Sequence, residues 1–107
     1  MIELDKLQET FPKEGGNAIF LLTTNTEYEV VIDKTYSWIK LDKIENAQAK
    51  VQKLYISVSE TETPRTGVVL IKDKNSDLIQ ELSIIQTNKS ASKSVEVKTE
   101  GTLSSLI

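Results

Sequence analysis

Apolar and polar positions alternate with a period of two over most of this chain. Tyr28, Val30 and Ile32 share one phase, and Leu54, Ile56 and Val58 alternate against Lys53, Tyr55 and Ser57. A period of two is the spacing of a half-buried strand. Asn17–Thr24 places Phe20, Leu22 and Thr24 on one face and Ile19, Leu21 and Thr23 on the other, the pattern of a central strand. Arg65–Ile71 and Leu82–Gln86 are two β-branched runs joined by Lys72-Asp73-Lys74-Asn75-Ser76-Asp77, a cluster of turn formers, and read as a hairpin. Tyr36–Leu41 is a further short, aromatic-bearing segment, and Pro12–Gly16 and Asn25-Thr26 are turns. Asp42–Lys50 is polar, with Ala47 and Ala49, and suits a helical turn. No segment holds a helical period for long. Turn signals about every ten residues predict an all-β, immunoglobulin-like β-sandwich of about seven to eight antiparallel strands.

The character changes after Gln86. Residues 87–94 are small and polar, Val95–Lys98 alternates like a short strand, and the sequence closes on Leu106-Ile107. This predicts a sandwich domain over residues 1–88, with 89–107 a linker and the truncated start of a following domain. Such a segment can pair with an exposed sheet edge, its own or a neighbour's. A monomer is expected, with an edge-strand dimer through residues 89–107 as the alternative.

The 107 residues include no histidine and no cysteine, which removes the usual nucleophile–base pairs and the commonest metal ligands. Many carboxylate pairs can be drawn, but none has a distinctive context, and no nucleophile elbow or phosphate-cradling glycine motif is present. Asp73-x-Asn75-x-Asp77 begins like a calcium loop, but Leu78 stands where that loop needs glycine and Ile84 where it needs glutamate. The expectation is therefore no enzyme, no cofactor and no metal. A net charge of −3, with acids and lysines interspersed, gives no reason to expect nucleic acid as a partner. No apolar run approaches a membrane span, so insertion of this segment is not expected.

Several of these features fall in a recognisable order. Phe11-Pro12-Lys13-Glu14-Gly15-Gly16 is followed by a strand ending in Thr24-Asn25, an aromatic at Tyr28, Trp38-Ile39, Arg65-x-Gly67, and a last strand closing on Ile85-Gln86. Over residues 3 to 88 this order resembles the BACON family, immunoglobulin-like modules of secreted and surface proteins in gut Bacteroidetes. Two positions depart from it: Tyr28 stands where such modules usually carry tryptophan, and Ile44-Glu45-Asn46-Ala47 lacks a common glycine. Gly101-Thr102-Leu103-Ser104 resembles the start of a leucine-rich-repeat region. The resemblance implies export to the periplasm or outer-membrane surface, often as part of a multidomain lipoprotein. The role it implies is a spacer or domain-joining unit, or alternatively a carbohydrate- or mucin-glycan-binding module with host or dietary glycans as partners.

Three residues are candidates for ligand binding under that alternative. Tyr55 lies out of phase with Leu54, Ile56 and Val58 and is the best candidate for an exposed ring; Tyr36 lies at a strand end. Arg65 could grip a carboxylate bidentately. The competing reading makes Arg65 a partner of Glu60, Glu62 or a nearby carbonyl, and places Trp38 in the core between the sheets.

Overall fold

The structure, a computed structural model, describes residues 1–91. The strand expected at 95–97 and the following-domain start expected up to residue 107 lie outside the described residues. Within them the chain forms an immunoglobulin-like β-sandwich of two four-stranded sheets. One sheet has the order β1 (Ile2–Leu4), β3 (Gly16–Thr24), β6 (Val51–Val58), β5 (Ile39–Glu45). The other has β2 (Gln8–Phe11), β8 (Ile79–Gln86), β7 (Arg65–Asp73), β4 (Tyr28–Ile32). A 3-10 turn at Lys34–Tyr36 carries the chain from β4 to β5.

The period-two pattern becomes the core directly. Phe20 and Leu22 of β3, Leu54, Ile56 and Val58 of β6, Val69 and Ile71 of β7, and Leu82 and Ile84 of β8 face each other between the sheets, with Ile2, Phe11 and Ile39 closing the cluster. The hairpin of β7 and β8 forms as expected, pairing Arg65 with Gln86 at one end and Lys72 with Ile79 at the other. As its two half-apolar faces implied, β3 is a central strand.

Two expectations are corrected, and two short strands are added. Not every strand pair is antiparallel: β2 runs parallel to β8, with Thr10 beside Ile85. The chain crosses from β1 on one sheet to β2 on the other without reversing, so β2 arrives running with β8. Neither β1 nor β2 was expected, since strands of three and four residues are too short to show a period. Nor is Asp42–Lys50 helical: β5 continues to Glu45 through a bulge between Leu41 and Lys43. Asn46, at φ 61°, then opens a turn closed by the Ala49 N–H on the Asn46 carbonyl. The bulge adds one residue to the alternation, so that Leu41 and Ile44 both pack on the core.

The two ends of the sandwich hold different parts of the chain. Met1 meets Asn25 where β3 finishes, beside the loops from β5 to β6 and from β7 to β8. The last described residues, Ser90 and Ala91, bond to Glu14 at the opposite end, where β3 starts against Val58. There the turn after β2 presses on the end of β6. Gly15, at φ +81°, lies so close that an added Cβ would sit 2.1 Å from the Val58 carbonyl oxygen.

Candidate functional site

Two places on the sandwich gather polar chemistry, one at each end. The first is a groove on the open side of the sandwich, where the edge strands β4 and β5 face one another. It encloses about 850 Å³ and extends over the loops at the Asn25 end. Tyr28, Val30, Leu41 and Ile44, the inward residues of the two edge strands, line it with apolar surface and pack on the core. The loops supply a polar rim: Asn25, Thr26 and Glu27 after β3, Gln48 and Lys50 before β6, and Lys74 after β7.

The groove is held by hydrogen bonds within the protein. The Tyr28 hydroxyl donates to Oε1 of Gln52, whose Nε2 donates to the Ala49 carbonyl at 2.8 Å. Gln52 is buried, and this pairing leaves neither end of its amide unmet. Burial pushes the Tyr28 hydroxyl above the usual tyrosine range, so it is a neutral donor at neutral pH. Asp73 organises the rim. One oxygen accepts from the Asn75 N–H and the Thr26 hydroxyl, the other from the Ser76 hydroxyl. Asn75 in turn donates to Thr26. What resembled the start of a calcium loop thus ties the β7–β8 turn to the β3–β4 loop.

The second place is the Gln86 end. Arg65 lies over the Trp38 ring, its guanidinium carbon 4.4 Å from the ring centroid. Tyr36 meets the same ring edge-on, at 6.4 Å and 80°. Both rings and Ile39 occupy the space above Gly67, where an added Cβ would lie 2.6 Å from the Ile39 Cδ1. That close approach explains the Arg65-x-Gly67 pattern: glycine makes room for the aromatics, and arginine covers them. Trp38 therefore packs against the core as a half-buried residue at its rim.

Arg65 makes carbonyl hydrogen bonds, as the competing reading allowed. Its Nε donates to Oε1 of Gln86, and Nη2 donates to the carbonyls of Ser59 and Glu60. Among the described residues it has no ion pair with Glu60 or Glu62.

Of the three ligand candidates, Tyr36 and Arg65 thus come together at Trp38. Tyr55 lies apart from them, on the outer face of β6. It is half-buried beside Ile19, with its hydroxyl on Glu45 at 2.8 Å and the Lys43 ammonium 4.5 Å above its ring. The Glu45 hydrogen bond raises the Tyr55 hydroxyl and, from the other side, lowers the Glu45 carboxyl. None of the three lines the groove. Its residues were not singled out in the sequence: Tyr28 reads as core by phase, and the rim comes from three loops far apart along the chain. One signal was present, because Gln52 is an amide in the inward phase of Leu54, Ile56 and Val58.

No protein-family model matches the chain, and no curated protein matches it. Among solved structures it is similar to a Bacteroides ovatus GH5 xyloglucanase in complex with a XXXG heptasaccharide, with a TM-score of 0.67 and 16% identity. The similarity covers 81% of this chain and 19% of the xyloglucanase chain. At that identity the likeness is one of fold. Among the described residues no helix is long and apolar enough to cross a membrane.

Proposed function

We propose that this domain is a non-catalytic accessory module of a larger exported protein, a rigid spacer that joins neighbouring segments. The observation that carries the reading is the placement of Met1 and Ala91 at opposite ends of one sandwich. A segment attached at each end is held apart by the length of β3, nine residues or on the order of 30 Å. The comparison supports the same reading, because the similar portion is a minor part of a much longer enzyme chain. The polar network at each end stiffens the junctions, through Asp73 at one and Arg65 with Gln86 at the other.

The test is exchange in the parent protein. Residues 1–88 would be replaced by an unrelated sandwich whose ends also lie opposite, and surface display and activity measured. Retained function supports the spacer. Loss with the unrelated sandwich, restored by the native domain alone, overturns it.

A second reading, glycan binding, is favoured by the groove between β4 and β5. It joins an apolar floor and an aromatic side chain to amides and hydroxyls at loop tips, the composition of a site for a polyhydroxylated ligand. Affinity gels with mucin glycans and plant polysaccharides test it. Saturable binding that Gln48→Ala and Tyr28→Ala weaken supports the reading, and no binding by the folded chain across the panel removes it.

A further inference from the structure

The groove has a charge asymmetry that neutral sugar binding leaves unused. Lys50 and Lys74 reach it from two different loops, and neither is in an ion pair among the described residues. Glu27 is the one carboxylate in the lining, so two lysines less one glutamate leave +1 there, in a chain of net charge −3. Asp73, next to Lys74, stays charged, and its charge is offset by the Met1 ammonium on Asn25, which acts on the Asp73 carboxyl.

We infer that the groove takes the end of a saccharide bearing a carboxylate, a sialic or uronic acid unit; this inference rests on the glycan-binding reading. Val30, Leu41, Ile44 and Tyr28 offer apolar surface to the C–H face of a sugar ring. On the rim the Gln48 amide and the Asn25 Nδ2 offer polar groups to ring hydroxyls, while the Thr24 and Thr26 hydroxyls are taken up within the protein by Met1, Asp73 and Asn75. The two ammonium groups, on flexible stems, supply the charge for the carboxylate without requiring one fixed geometry. Both lysines are exposed, so the attraction is screened by salt and each contributes modestly.

The test is amide chemical-shift mapping on the full chain with 3′-sialyllactose, a glucuronic-acid disaccharide and lactose as probes. Shifts are expected with the acidic probes at Asn25–Tyr28, Ala47–Gln52 and Lys74, and whichever of the two binds tighter identifies the acid. The double variant Lys50→Gln, Lys74→Gln should bind the preferred acid about fivefold more weakly, and added salt should weaken the native chain in the same direction. Because the double variant changes only exposed side chains, its own spectrum reports that it is folded. Lactose binding as tightly as 3′-sialyllactose would overturn the inference and leave the glycan reading standing. Shifts away from the groove, or none with any probe, would overturn the inference; no binding by any saccharide would remove the glycan reading as well.

Discussion

Arg65 and Gln86 are paired across the β7–β8 ladder by a side-chain hydrogen bond of 2.8 Å, and Gln86 is fully buried. The Gln86 amide also donates to the carbonyls of Pro12 and Ser59, at 3.0 and 2.8 Å. One side chain therefore ties together the turn after β2, the loop after β6 and the start of β7. A buried amide in an apolar phase is costly unless every partner is present.

Gln86→Leu should for that reason destabilise the domain by about 1–3 kcal/mol, since it leaves Arg65 Nε without its acceptor and takes one of two donors from the Pro12 and Ser59 carbonyls, which keep the Gly15 N–H and Arg65 Nη2. Urea unfolding followed by Trp38 fluorescence reads it directly, because Trp38 is the only tryptophan and lies under Arg65. Its emission should also shift as Arg65 loosens. A cost below about 0.5 kcal/mol would show that water replaces the amide freely.

Gly67→Ala should cost about 1–3 kcal/mol by overpacking. The new Cβ would sit 2.6 Å from Ile39 Cδ1 and 3.1 Å from Trp38 Cζ2 and Tyr36 Cδ1. Ile39→Val removes the closest of those atoms, so the double variant should be more stable than the sum of the single changes allows. Strict additivity in the denaturation free energies would place the strain elsewhere.

Asp73 links stability to pH on the acid side. Hydrogen bonds from the Asn75 N–H, then from Ser76 and Thr26, hold its carboxyl below the usual aspartate range. A lowered folded value means stability that is present above the unfolded pKa and lost as pH falls through the folded one. Asp73→Asn should lower the melting temperature at neutral pH and flatten its decline below about pH 4. A decline unchanged in the variant would assign acid sensitivity to other carboxyls.

The core and the sandwich were legible in the sequence because the inward positions of β3, β6, β7 and β8 keep an unbroken period of two. What escaped was whatever breaks that period. The bulge at Leu41 to Lys43 shifts β5 by one residue and made its second half read as a polar helical turn. β1 and β2 are too short to show alternation, and their split between two sheets is a tertiary fact. The groove was hidden for another reason. Its rim residues lie on three separate loops, and no local pattern records that Lys50, Lys74 and Glu27 meet.

Tyr28 gives the alkaline counterpart to Asp73. Burial raises its hydroxyl above the usual tyrosine range, and the hydroxyl donates to buried Gln52. A raised folded value means stability fully present below the unfolded pKa and lost as pH rises through the folded one. Tyr55 is raised as well, through its bond to Glu45, so both rings contribute to alkaline unfolding. Tyr28→Phe should cost about 1 kcal/mol at neutral pH by leaving Gln52 Oε1 without its donor. It should also make the fall in melting temperature between roughly pH 9 and 11 shallower, with Tyr55→Phe removing a separate share. Circular dichroism melts across that range read both. If Tyr28→Phe lowers stability equally at every pH, the hydroxyl supports the groove only as a hydrogen-bond donor, and the alkaline sensitivity belongs to Tyr55.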